Sequence, residues 1–273
     1  MTLADMMEIL GILLTAGLVA GLLAGMLGVG GGIVLVPAFL LILDATGYQG
    51  ADAMQMAIAT SLATIIVTSL RSLHAHWKRG AVDMDLLKRL ALPVCLAAVG
   101  GMVLAQVARS SHLMAVFGVL GSAVGAWMLL GPGVARQDAR LPRPPVLSAY
   151  AALFGGLSAL IGIGGGSFFV PFLTWNGRSS HQAVATSAGI GVLIAAPAVL
   201  GFLVVPTPND APPFTVGQVS IVAAVIVVCA TMLTAPLGAR LAHLINAALL
   251  KRIFGGFLVL TAGKMLVSAI LSF

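Results

Sequence analysis

The sequence predicts an all-α polytopic membrane protein, with eight main helical segments arranged as two inverted repeats. Composition, segment spacing and an internal duplication point there. Of 273 residues, 60% are hydrophobic and only 8% charged, against about 25% charged in an ordinary soluble domain. Mean hydropathy is +1.11 over the whole length, so the apolar excess is not one anchor but nearly the entire chain. That excludes a soluble globular enzyme and a disordered tail. The 14 Lys and Arg exceed the 8 acids by little; in a membrane protein this excess reads as an orientation signal rather than as affinity for nucleic acid. Cys95 and Cys229 both sit inside apolar runs, and make neither a disulfide framework nor a CxxC site.

A membrane helix needs roughly 20 apolar residues. Eight apolar segments meet or approach that length, at 9–43, 53–70, 84–107, 113–131, 146–174, 182–205, 217–239 and 253–272. Only Asp5 and Glu8 precede the first as charges. A cleavable signal wants a basic start, so this segment is expected to stay as structure. Segments 1 and 5 are too long for one crossing, and each carries a glycine run: Gly28, Gly30, Gly31 and Gly32, then Gly162, Gly164, Gly165 and Gly166. Each Gly costs a helix about 1 kcal/mol relative to Ala, so both segments should break there into hairpins. Trp175-Asn176 closes the second hairpin. The breaks between segments are short, apart from GPGVARQDARLPRPP at 131–145, with three arginines and four prolines. It divides the chain into a first repeat, 1–131, a Pro/Arg-rich cytoplasmic linker, 132–145, and a second repeat, 146–273.

The two parts read as copies. LGVGGGIVLVP at 27–37 aligns with IGIGGGSFFVP at 161–171, and MAIATS at 56–61 with QAVATS at 182–187. RGAVD at 79–83 has a weaker echo in VGQVS at 216–220, and Phe117-Gly118 recurs as Phe254-Gly255. Single matches between apolar stretches are cheap. Four in the same order indicate duplication.

These blocks resemble the TauE/SafE family, the sulfite exporter superfamily. The resemblance rests on LAGMLGVGGGIVLVP and LSALIGIGGGSFFVP, each followed by an ATS helix, and on HAHWKRGAVD between the second and third segments. It covers almost the full chain. It implies a bacterial inner-membrane transporter of sulfur-containing anions such as sulfite, sulfoacetate or related organosulfonates.

Charge placement tests the hairpins. If every segment crosses once, the basic residues split 8 to 5 between the sides. If segments 1 and 5 each return to their own side, the split is 12 to 1, with Arg109 alone on the other side and Lys264 uncounted within its segment. Lys and Arg favour the cytoplasm, so the second arrangement is expected, with both termini periplasmic. Each repeat then crosses an odd number of times, the inverted plan of many secondary transporters, whose sites lie between broken helices near the midplane.

G-x-G-G-G superficially suggests a dinucleotide fingerprint. That motif needs a strand before it and a soluble βαβ unit around it, and neither is present. Packing glycines and a broken-helix anion site remain; four glycines in five residues, twice, each with a proline five residues on (Pro37, Pro171), favour the site. Free N–H groups and the positive end of the second half-helix suit an anion. All eight acids fall in loops or at segment ends, whereas cation and proton pathways place carboxylates within the membrane. The expected substrate is therefore a small anion, bound by neutral donors.

The expected binding set is Gly28, Gly30, Gly31, Gly32, Gln55, Thr60 and Ser61 from the first repeat, with Gly162, Gly164, Gly165, Gly166, Gln182, Thr186 and Ser187 from the second. Thr60, Thr64 and Thr68 continue one face, although membrane Ser and Thr commonly bond their own helix. Lys264, deep in the last segment, either snorkels outward or lends the pathway a positive charge. His74 and His76, with Trp77, Lys78 and Arg79, read as an interfacial anchor, since a metal site needs more ligands. Neither cofactor nor metal is expected. Partners are a small anionic substrate and the lipid bilayer, with no nucleic acid; oligomeric state leaves no trace. Ser158 and Ser167 flank the second glycine run, but no G-x-S-x-G occurs and His243 lies near a segment end, so an intramembrane serine enzyme is not expected. A passive anion channel, or a transporter of another small organic anion, stays open as an alternative.

Overall fold

The computed structural model describes residues 3–27, 31–48, 50–130, 141–241 and 247–271. Within them the chain is almost wholly helical. The helices are α1 Leu3–Leu27, α2 Gly32–Ala45, α3 Ala53–Trp77, α4 Met84–Val107, α5 Ser110–Leu130, α6 Pro144–Ile161, α7 Gly166–Trp175, α8 Ser180–Val204, α9 Ile221–Leu241 and α10 Ala247–Leu271. A two-residue hairpin, β1 Thr215–Val216 with β2 Val219–Ser220, precedes α9. Among the described residues, seven helices are long and apolar enough to cross a membrane. At 14 and 10 residues, α2 and α7 fall short of the roughly 20 that a crossing requires.

Both long segments divide at their glycines. α6 ends on Gly162, whose φ of +72 suits a residue without Cβ, and α7 restarts at Gly166. Gly31, at φ +74, precedes α2; Gly28 and Gly30 lie outside the described residues, as does most of the linker. Two departures from expectation are local. α3 runs on through His74 and His76 to Trp77, because no helix breaker occurs before Gly80. α6 begins at Pro144, inside the expected linker, since proline is well tolerated in a helix's first turn.

Small residues set the packing. α1 lies on α9, α4 on α6, α5 on α10 and α3 on α8. Gly17, Gly21 and Gly25 bring α1 against Val227, Thr231 and Ala235 of α9, and Gly101 meets Gly156 where α4 crosses α6. In lipid, where apolar surface alone does not drive association, such close backbone approach is what joins helices. Exchanging α1–α5 for α6–α10 maps the main pairs onto themselves: α1 with α9 becomes α6 with α4, and α2 with α3 becomes α7 with α8.

Contacts between loops define two faces. Arg178, after α7, forms an ion pair of 2.9 Å with Asp83, which opens α4. The α3–α4 and α7–α8 connections therefore share one face. On the other, the Tyr48 hydroxyl is pushed up by burial and by the carboxylates of Asp52 and Asp210, while Gln106 Nε2 donates to Gln218 Oε1 at 2.8 Å. That face gathers the α2–α3, α4–α5 and α8–α9 connections. α6 and α7 return to a common face: Tyr150 near the start of α6 meets Phe172 near the end of α7, ring centroids 5.2 Å apart.

Candidate functional site at the two glycine breaks

The breaks meet inside the bundle. A Cβ placed on Gly32 would lie 2.7 Å from the Gly162 carbonyl oxygen and 3.2 Å from Ile163 Cα, so the first break touches the second backbone to backbone. Ser61 Oγ of α3 donates to the Gly162 carbonyl at 2.9 Å and approaches that of Gly32 at 3.5 Å. Gly165 packs as tightly on α8: its Cβ would stand 2.9 Å from Ser187 O and Gly191 N. Gly31, Gly32, residues 162 to 167, Ser61 and Ser187 are all buried.

The rest of the expected set divides. Thr60 and Thr186 are buried, but their hydroxyl oxygens are engaged as acceptors: Ser220 N–H donates to Thr60 Oγ1 and Asp83 N–H to Thr186 Oγ1, both at 3.1 Å. Each threonine anchors the residue that opens the next long helix, α9 or α4. Gln55 is likewise committed, donating through Nε2 to Ala108 O at 2.8 Å and accepting from Ser110 Oγ at 2.9 Å. Gln182, in the first turn of α8, and Lys264 on α10 are exposed, and the structure does not bring either to the breaks. The lysine's charge favours the surface over the packed interior. Thr64 and Thr68 bond their own helix, through Ser61 O at 2.6 Å and Thr64 O at 3.1 Å, so these two members of the threonine stripe offer no free donors.

Ser158 and Ser167, outside the expected binding set, flank the second break. They are 0% and 4% exposed, and with Ser187 they are the buried side-chain polar atoms that find no partner among the described residues. Their aligned positions in the first repeat are Ala24 and Ile33. That asymmetry was the available signal. α7 opens without a side-chain cap. Among the described residues every buried polar side chain is neutral, and no group of three or more His, Cys, Asp or Glu is placed to hold a metal ion. Such a centre can donate hydrogen bonds to an anion; it has no buried carboxylate with which to hold a cation. A cavity of about 480 Å³, walled by Phe154, Phe168, Phe172 and Trp175 among others, has Ser167 in its lining.

Broken helices meeting at a buried polar centre, in a bundle of long apolar helices, define a polytopic membrane protein of the transporter kind. The comparisons agree. Residues 13–265 match the family described as Sulfite exporter TauE/SafE, and the chain belongs to that family of membrane transporters. A "Probable membrane transporter protein" of Haemophilus influenzae is 29% identical over 240 residues, covering 87% of this chain and 90% of its own. "Probable membrane transporter protein MJ0441" of Methanocaldococcus jannaschii is 24% identical over 238 residues, 87% and 88% of the two chains. "Probable membrane transporter protein YunE" of Bacillus subtilis is 31% identical over 181 residues, 59% and 65% respectively. No solved structure matches.

Proposed function

We propose that this protein is a secondary transporter exporting a small sulfur-containing anion, such as sulfite, sulfoacetate or another organosulfonate, across the bacterial inner membrane. The observation that carries this reading is the contact between the two glycine breaks, at Gly32 and Gly162, within a buried and wholly neutral set of donors. Two half-helices meeting at one point give a site that either face can reach when the surrounding bundle rocks, the plan of alternating access. The repeats are 1–131 and 146–273, in opposite orientation, with the linker at 132–145 cytoplasmic and both termini periplasmic. The self-mapping of the helix pairs supports that relation, as does the placing of aligned loops on opposite faces. The family description supplies the sulfur oxyanion.

Counterflow in proteoliposomes tests this. Vesicles loaded with unlabelled sulfoacetate or sulfite should draw in labelled anion transiently above its outside concentration. A channel equilibrates without overshoot. Flux without overshoot would establish the channel, and no flux of either anion would remove this substrate class.

A further inference from the structure

We propose that the anion is held at the second glycine break alone, by the hydroxyls of Ser158, Ser167 and Ser187 and by the N–H groups that open α7. This rests on the transport reading and deepens it. The three hydroxyls are 0%, 4% and 1% exposed and have no partner among the described residues. Burying a hydroxyl without a partner is costly, and native proteins rarely leave such groups unused. Here three surround one break. Ser158 lies in the last turn of α6, and its carbonyl accepts the Ile163 N–H at 2.9 Å. Ser167 is the second residue of α7. Ser187 lies on the face of α8 packed against Gly165, which precedes that helix.

The helix end adds to them. A buried helix N-terminus needs a cap or a ligand for its free N–H groups. α7 has no side-chain cap, and among the described residues no acceptor is found for the N–H of Gly164 or Gly165. The positive end of the helix dipole points the same way. Three hydroxyls answer the three oxygens of a sulfite or sulfonate, and Ser167 connects the break to the 480 Å³ cavity between α5, α6 and α7.

The first break offers no equivalent hydroxyls, although α2 also opens without a side-chain cap. Ala24 and Ile33 stand where the second repeat has Ser158 and Ser167. Ser61, aligned with Ser187, spends its hydroxyl on the Gly162 carbonyl. It holds the second break in shape instead of contacting the anion. With no buried Lys or Arg among the described residues, binding stays weak enough to release its cargo.

Calorimetry on the purified full-length protein, with sulfite and with methanesulfonate as probes, tests this. Ser158→Ala, Ser167→Ala and Ser187→Ala should each weaken binding by about tenfold to a hundredfold, the range for a donor lost to a charged partner. Without ligand these variants should melt at or above the parent temperature, because no bond within the protein is lost. Ser61→Ala should melt lower. A triple serine variant that binds as tightly as the parent overturns this inference and leaves the transport reading standing. So does a serine variant whose unliganded melting temperature falls, since its hydroxyl would then have a structural partner. A parent protein that binds neither probe overturns both.

Discussion

Thr60 and Thr186 show how the environment of a hydroxyl decides its role. Both come from an A-T-S triplet in an apolar helix, and each looks like a free donor in the sequence. In the structure each accepts a main-chain N–H from the residue that opens the next long helix, Ser220 or Asp83. Asp83 adds two further ties: Oδ1 accepts the Leu86 N–H at 3.0 Å, capping α4, and Oδ2 meets Arg178. Replacing either threonine by valine keeps the shape but strands a partly buried N–H, at a cost of about 1–3 kcal/mol. Thr60→Val and Thr186→Val should therefore lower the melting temperature in detergent, and Thr→Ser at either position should restore most of it. Melting unchanged from the parent would show that these bonds do not anchor α9 and α4. The hydroxyl residues were legible as a class, but their partners lie 160 and 103 residues away, beyond the reach of local pattern.

At the scale of helices, the breaks were legible because glycine acts through the backbone alone. A glycine run costs a helix about 1 kcal/mol per residue, and the chain divides at Gly162 to Gly165 accordingly, whereas the pairs Gly100-Gly101 and Gly155-Gly156 stay helical. The β1–β2 hairpin carried no such signal: two residues per strand are too few for a pattern, and its place is fixed by tertiary bonds such as Gln218 N–H to Phe202 O at 3.1 Å. The exposure of Gln182 was equally hidden, since a residue in the first turn of α8 faces outward or inward according to neighbours that the sequence does not name. Glycines outside the breaks separate into packing and idle positions. On Gly21 a Cβ would lie 2.6 Å from Thr231 Cα of α9, whereas at Gly11 on the same helix it would meet nothing within 4 Å. Gly21→Ala should loosen α1 from α9 and lower stability, while Gly11→Ala should be neutral or stabilise by up to about 1 kcal/mol through helix propensity. Thermal melting of the two variants side by side checks this; equal effects would show that the α1–α9 contact is not close-packed. The same reasoning makes Gly165 a poor probe of binding, because any side chain there strikes the α8 backbone before it reaches an anion.

For the molecule as a whole, contacts show which loops share a face, and charge counting proposes which of the two faces is cytoplasmic. If every apolar segment crossed once, Asp83 and Arg178 would stand on opposite sides of the membrane, as would Gln106 and Gln218. Instead the first two form an ion pair, and Gln106 Nε2 donates to Gln218 Oε1. Arg71, Lys78, Arg79, Lys88, Arg89 and Arg178 thus belong to one face, and Arg109, in the turn between α4 and α5, belongs to the other. This was legible because Lys and Arg are costly to translocate, so their distribution records orientation without reference to packing. The rule assigns Asp83's face to the cytoplasm. In a chain with Cys95 and Cys229 replaced by alanine, single cysteines at the exposed positions Ala51, Asn209, Lys78 and His181 test that assignment. A membrane-impermeant maleimide added to intact cells should label Ala51→Cys and Asn209→Cys and spare Lys78→Cys and His181→Cys until the membrane is opened. A fluorescent reporter that folds only in the cytoplasm should stay dark when fused after Phe273. Labelling of the Lys78 and His181 positions from outside, with a bright C-terminal reporter, would turn the whole bundle over. Labelling of Ala51→Cys without Asn209→Cys would return each long segment to a single crossing and remove the inverted plan on which alternating access at the two breaks depends.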